Sequence, residues 1–409
     1  MHHRIYGGRA SRVLLSILLL TLGLAGGSFV GSAPQRPHPK FVPPQAGQPI
    51  LPDQFIVQLQ RDVVPADIHA FRQQAERMGL EVVLQSDGPV PFITVRGPEA
   101  VVFRLADDPR VRLVEHDGPV YAVEQTLPWG IDRIDADVSP TANINGVDER
   151  VGVDAFIIDT GIQPDHPDLY VVGGRNFTSK NPDAWKDCNG HGTHVAGTVA
   201  ALDNTYGVVG VAPGARLWAV RVLGCGGSGT WSAVAAGVNW VTQWKQSHPT
   251  SPAVANMSLG GSGHNATVHD AVVTSIQNNV VYCIAAGNDG ADASNFEPAH
   301  VTEALTITAT DSTDTMPSWA NWGFVVDLAA PGVSILSTYL RSGYTTLSGT
   351  SMATPHCTGT ATLYLATHPT ATASDAMNDI VTKAQTFGGF TANTDPQGRR
   401  YAIVYAGRY

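Results

Sequence analysis

The stretch "LSGTSMATPHCTGTATLYLA", residues 347–366, admits two readings. It is small, apolar and helix-like, yet it opens on Ser348, Gly349, Thr350 and Ser351. A serine at a loop-to-helix junction ordinarily caps the helix. The spacing predicts a helix over 351–367, with Pro355 tolerated as a first-turn residue. Backbone N–H groups at that helix start would also favour a developing negative charge. Whether Ser351 only caps or also reacts depends on what the rest of the chain brings to it.

Outward from this helix, apolar strands alternate with helices from Trp129 onward. Strands are expected at Val151–Ile158, Leu217–Leu223, Ala253–Leu259, Val280–Ala286, Ala304–Thr310 and Phe324–Ala329. Helices are expected at Thr193–Leu202, Trp231–Gln246 and Thr267–Asn278. Near-continuous apolar strands with helical crossovers predict an α/β fold, a mostly parallel sheet with helices on both faces. Ligands of such sheets lie beyond the carboxyl ends of the strands. Upstream, residues 51–124 read as strand, helix, two strands, helix, strand, a small α+β unit. The Pro-rich segment 34–50 reads as a linker. Arg4, Arg9 and Arg12, the apolar run Val13–Leu24 and the small residues ending at Ala33 have the layout of an export signal, 1–33. The run is short for a membrane span. The protein is therefore expected to be secreted, with no membrane association after signal removal.

Net charge is −10, and its distribution is uneven. Lys+Arg against Asp+Glu is 12 to 12 over residues 1–125 and 13 to 23 over 126–409. An acidic body argues against nucleic acid as a partner. It also leaves carboxylates for cations. Four cysteines in an exported chain are able to form disulfides, and the sequence does not fix their pairing.

Three segments place reactive side chains at predicted strand ends or helix starts. "VGVDAFIIDTGI" ends near Asp159, "CNGHGTHVAGT" carries His191 and His194, and "SGTSMATPH" carries Ser351. Taken singly, Asp159 reads as a turn residue, the histidines as a helix start or a weak metal pair, and Ser351 as a cap. Together they supply a hydroxyl nucleophile, a base to take its proton and a carboxylate to hold the base. These segments resemble those of the subtilisin-like serine proteases, in the order Asp, His, Ser that belongs to that family. The likeness covers about 127–405 and is strongest to the proteinase K and aqualysin branch. It rests on "PWGIDRID", "DCNGHGTHVAGT", "VRVLGCGGSGTWS", "MSLGG", "AAGND" and "SGTSMATPH". A serine esterase would need a G-x-S-x-G elbow, whereas Ser351 sits in G-T-S-M-A.

The resemblance implies the rest of the site. Asp159 orients His191, His191 serves as base and then acid, and Ser351 attacks a peptide carbonyl. Asn288 becomes an oxyanion donor beside the Ser351 N–H, and His194 becomes structural. Gly227, Ser228 and Gly229, with Ser258, Leu259 and Gly260, flank an extended protein or peptide substrate. Ala285 and Gly287 line the main side-chain pocket, with Phe296 near its base. Small walls and no obvious acid there imply apolar or aromatic preference. Residues 51–124 resemble the family's inhibitory propeptide, removed by the enzyme itself between Tyr121 and Leu127 to leave a peptidase domain, 125–409, expected to be a monomer. A structural Ca2+ is implied on the Thr302 and Ala304 carbonyls and the Asp327 carboxylate. Cys188 and Cys225 match a bridge of that branch. Ser294 and Val325 stand where a second bridge of that branch would be. Cys283 and Cys357 read either as buried free thiols or as a pair, and free thiols are the expectation because no matched family position supports that bridge. "NFT" (176–178) and "NAT" (265–267) are glycosylation sequons.

Overall fold

The computed structural model describes residues 38–44, 50–118 and 125–409. The export signal, most of the Pro-rich segment and most of the proposed cleavage stretch lie outside these residues. The chain divides into two compact units, 1–121 and 122–409.

In the first unit, strands Gln54–Leu59, Glu81–Ser86, Phe92–Arg96 and Val111–His116 form an antiparallel sheet, with helices Pro65–Arg77 and Glu99–Ala106 between them. This is the order that the alternation predicts. Phe55, Val57 and Leu59 point to one face of their strand and pack with Ile68, Phe71 and Leu105 from the helices. Two residues of the expected linker, Phe41 and Val42, add a short strand parallel to Val111–His116.

The second unit is built on seven parallel strands: β1 (Asp154–Asp159), β2 (Val171–Asn176), β3 (Arg216–Arg221), β4 (Ala253–Met257), β5 (Val280–Ala285), β6 (Leu305–Thr310) and β7 (Leu328–Pro331). Their order across the sheet is β7-β6-β5-β4-β1-β3-β2. All neighbouring pairs are parallel. The main helices are α1 (His191–Ala200), α2 (Trp231–Ser247), α3 (Ala266–Gln277), α4 (Thr350–Thr367) and α5 (Ala373–Lys383). Successive residues of β1 enter different cores. Ala155 and Ile157 join the cluster that includes Val195, Ala353 and Ala361, while Phe156 and Ile158 join the one that includes Val238 and Val272. A sheet covered on both faces needs such unbroken apolar strands. Each fully buried side chain of this size contributes about 1.5–3 kcal/mol.

Three departures from the expected elements have physical reasons. The last strand is Leu328–Pro331 rather than Phe324–Ala329, because Phe324 is 77% exposed beside the turn at Gly323. β2 was not expected, and its Gly173 and Gly174 press against Trp218 and Ala219 of β3, where side chains would collide. Helix α4 begins at Thr350, which makes Pro355 its sixth residue and places it beyond the first turn.

Two cysteine pairs are present. Cys188–Cys225 joins residues 37 apart in sequence, as expected. Cys283 of β5 and Cys357 of α4 are also joined, and no cysteine is free. This corrects the expectation of two free thiols. Helix α4 packs across β5 and brings the two Cα atoms to 6.2 Å, within disulfide range. Asn176 of the first sequon is buried, with its amide donating to Ser179 Oγ and the Asn181 carbonyl.

Candidate active site

Strand β1 runs between β3 and β4, and the chain crosses from one side of it to the other between those strands. Such a switch opens a crevice at the carboxyl end. Asp159 is the last residue of β1 and is fully buried. The Thr160 N–H donates to its Oδ1 at 2.7 Å. His191 Nδ1 donates to Oδ1 and Oδ2 at 2.8 and 2.9 Å. That commits the Nδ1 proton to the carboxylate and leaves Nε2 of a neutral ring as a bare acceptor. The His191 side chain remains 27% exposed. Burial lowers its pKa, but the charge and hydrogen bond of Asp159 and the charge of Asp187 outweigh that and raise it above the ordinary imidazole value.

His191 is placed by a loop that a second carboxylate organises. Asp187 is buried and accepts from Thr160 Oγ1, the N–H groups of Asn189, Gly190 and Thr193, and Thr193 Oγ1. Gly190 turns the chain into α1 at φ 106°, and a side chain there would run into the Tyr339 ring. Cys188–Cys225 and the bond from Asn189 Nδ2 to the Cys225 carbonyl tie this loop to the segment after β3. His194, one turn on, points elsewhere. Its Nε2 contacts the Ile335 and Thr345 carbonyls, and burial pulls its pKa down to about 4. The two histidines therefore do not converge on a shared ion.

Ser351 is the second residue of α4. Pro355 has no N–H to donate to the Ser351 carbonyl four residues earlier. Ser258 Oγ supplies that bond instead, at 2.8 Å. Asn256 Nδ2 donates in turn to Ser258 Oγ, and Thr358 Oγ1 donates to Asn256 Oδ1. Ser351 Oγ donates to the Ser258 carbonyl at 3.3 Å. Among the described residues no hydrogen bond joins Ser351 to His191, and such bonds commonly tighten only when substrate is present. Asn288 follows β5, and its Oδ1 accepts from Thr350 N at 2.8 Å and Thr350 Oγ1 at 3.0 Å. Its Nδ2 is thus the free donor of the amide, on the same side chain that lines a cleft with Ser351.

Two adjoining clefts cover this region. One of about 650 Å³ is lined by His191, by Gly227, Ser228 and Gly229, and by Ser258, Leu259 and Gly260. The other, about 300 Å³, is lined by Ala285, Gly287, Asn288, Phe296 and Ser351, and shares Leu259 and Gly260 with the first. Its lining also includes Asp289 and Glu297, so the pocket is less free of acidic residues than the sequence suggests. The Glu297 carboxylate is fully buried and accepts from the Asn265 N–H. Thr302, Ala304 and Asp327 line a separate cleft of about 460 Å³. Crowding by surrounding protein raises the Asp327 carboxyl to about 6, against the Thr306 N–H bond and the charge of Arg399.

Sequence reasoning missed Asp187, Asn256 and the bond from Ser258 to the Ser351 carbonyl. Only Asp187 left a signal, an Asx residue just before the helix that begins at His191.

Residues 152–399 match the Subtilase family. The chain is 44% identical over 295 residues to an extracellular serine proteinase of Thermus sp. (strain Rt41A), covering 71% of this chain and 70% of that protein. It is 39% identical over 381 residues to alkaline serine exoprotease A of Vibrio alginolyticus, covering 87% and 68%. A crystal structure of a cold adapted subtilisin-like serine proteinase aligns with a TM-score of 0.57 at 40% identity, over 68% of this chain and 97% of that one. With the parallel sheet and the clefts at its strand ends, these likenesses place the chain in the subtilase family of serine proteases.

Proposed function

We propose that the protein is an exported serine endopeptidase that matures by cutting its own precursor, with Asp159, His191 and Ser351 as its catalytic residues. The observation that carries this reading is the His191 Nδ1 bond to buried Asp159, in a cleft whose wall residue Ser258 exchanges hydrogen bonds with Ser351. In the proposed mechanism His191 Nε2 takes the proton of Ser351 Oγ as that oxygen attacks the peptide carbonyl. Asp159 stabilises the imidazolium that forms. Asn288 Nδ2 and the Ser351 N–H stabilise the oxyanion. His191 then gives its proton to the leaving amine, and water releases the acyl group by the same route in reverse.

Peptide substrate is proposed to lie between 227–229 and 258–260. Ala285 and Gly287 form the side-chain pocket, with apolar or aromatic preference. Residues 1–33 act as the export signal, 34–50 as linker, 51–124 as inhibitory propeptide and 125–409 as the peptidase. The acidic body supports protein substrates over nucleic acid as partners. Ca2+ fits the third cleft, which brings the Asp327 carboxylate together with Thr302 and Ala304, because oxygen ligands suit that ion. Thr302, Ala304 and Asp327 would hold it, and its role is structural.

The test is hydrolysis of casein by the secreted protein, with N-terminal sequencing and a serine-directed phosphonylating inhibitor. Inhibitor-sensitive proteolysis from a product beginning near Leu127 is expected, and Ser351→Ala should accumulate a full-length precursor. Normal maturation of Ser351→Ala would exclude self-processing, and proteolysis indifferent to the inhibitor would exclude Ser351 as nucleophile. Chelation should lower thermal stability in the parent and leave Asp327→Asn unchanged.

A further inference from the structure

Outside the candidate active site, the rings of His264 and His269 both stack on His300. His264 precedes α3, His269 lies in the first turn of α3, and His300 follows the segment Phe296–Ala299 that lines the second cleft. The His264 and His300 ring centroids are 4.1 Å apart, and those of His269 and His300 are 5.1 Å apart. Hydrogen-bond partners identify the bare nitrogen. His300 Nδ1 faces the Phe296 carbonyl at 3.2 Å, and a carbonyl only accepts, so Nδ1 carries the proton. His300 Nε2 of the neutral ring is then a lone pair, and it faces His269 Nδ1 at 3.2 Å. Two imidazoles on a tetrahedral ion with bonds of about 2.0–2.1 Å would have nitrogens about 3.3 Å apart.

A buried carboxylate stands beside the pair. Glu297 Oε2 lies 3.5 Å from His300 Nδ1, close enough for charge to act on the ring, while the Nδ1 proton itself goes to the Phe296 carbonyl. Glu297 is fully buried, and among the described residues its Oε1 has no hydrogen-bond partner. A nearby cation would offset that buried charge. We propose that His269 Nδ1 and His300 Nε2 form a two-histidine site for a transition-metal ion of the Zn2+ class, with the Phe296 carbonyl holding the His300 tautomer and the buried Glu297 carboxylate beside it. Imidazole ligands select this class over Ca2+. For binding, His269 moves its proton from Nδ1 to Nε2, so a neutral pair loses no proton. Among the described residues no three metal-type side chains converge, so the remaining positions belong to water. The ion would tie α3 to a wall of the second cleft through Phe296 and Ala299.

The test is calorimetric titration of Zn2+ into the full chain carrying Ser351→Ala, in saturating Ca2+, with His269→Ala and with His300→Asn. His300→Asn keeps a donor for the Phe296 carbonyl, and His269 is half-buried on the helix surface, so either variant should fold, as a melting curve will show. The remaining histidines give the same background in all three proteins. One equivalent of Zn2+ should bind the parent, with affinity falling by at least about tenfold in each variant. No binding up to about 1 mM Zn2+, or unchanged affinity in either variant, overturns the proposal.

Discussion

Replacing Asn288 separates its two ends. Oδ1 accepts from Thr350 N and Thr350 Oγ1, while Nδ2 is the proposed oxyanion donor. Asn288→Ala deletes both, and because Thr350 is fully buried, its stranded N–H should cost about 1–3 kcal/mol of stability. Asn288→Asp keeps an acceptor for Thr350 and removes the donor, so its melting temperature should stay close to the parent's. A hydrogen bond to a charged group is worth about 1.5–3 kcal/mol net, which converts to a fall in kcat of about 10- to 150-fold. Repulsion between the aspartate and the oxyanion should push Asn288→Asp to the upper end of that range or beyond it. KM should hold within about threefold, because the donor acts on charge that appears only in the transition state. The assay is steady-state hydrolysis of a chromogenic peptide, with active sites titrated by a phosphonate and melting followed by calorimetry. A correctly matured Asn288→Asp enzyme with kcat within about threefold of the parent would refute the reasoning.

The other predictions concern the base, the loop and the helix start. Since the His191 pKa is raised and its neutral form is the base, the acid limb of kcat/KM should lie above the ordinary imidazole value, with activity gained as pH rises through it. Asp159→Asn removes the leading causes of that rise and leaves burial, so a pH–rate profile should show the limb moved to lower pH and a plateau lower by on the order of 10⁴. Cys188→Ala with Cys225→Ala opens a loop spanning 37 residues and should cost about 4 kcal/mol in the chain-entropy model, read as faster thermal inactivation. Ser258→Ala leaves the Ser351 carbonyl without its donor and should cost about 1–3 kcal/mol. Adding Pro355→Ala restores an N–H four residues along the helix, so the double variant should recover part of that loss in a denaturation cycle, and strict additivity would dismiss the coupling.

What was legible in the sequence follows from how local each signal is. Strands β1, β4, β5 and β6 are buried on both faces, so they read as largely apolar runs, broken only by residues such as Asn256 and the threonines of β6, without knowledge of their neighbours. β2 lies at the sheet edge, where Gly173 makes room for Trp218 and Gly174 for Ala219 and Trp185, and its pattern has meaning only beside β3. The hairpin of Ile335–Tyr339 and Gly343–Leu347 turns through Arg341 and Ser342, both at left-handed φ, which their side chains do not announce. Helix α5 carries a legible capping box at Thr372 and Asp375 that went unread. The proposed site residues Asp159, His191, Asn288 and Ser351 each sit in a distinctive short motif, which is why the sequence alone can nominate them. Cys283 and Cys357 were not legible as a pair, since their pairing depends on α4 crossing β5.

The deepest gap in legibility is at Ser351 itself. A proline at 355 can be judged only by what replaces the hydrogen bond it removes, and the replacement comes from a residue 93 positions earlier in the chain. Ser258 belongs to the segment proposed to flank the substrate, so the donor that completes the helix start is also a wall of the groove. Asn256 and Thr358 hold that serine from behind through buried, fully oriented bonds. A small displacement of the 258–260 edge would therefore move the Ser351 carbonyl, and with it the hydroxyl. The proline that removes a helix hydrogen bond makes the position of Ser351 depend on the groove edge rather than on the helix alone.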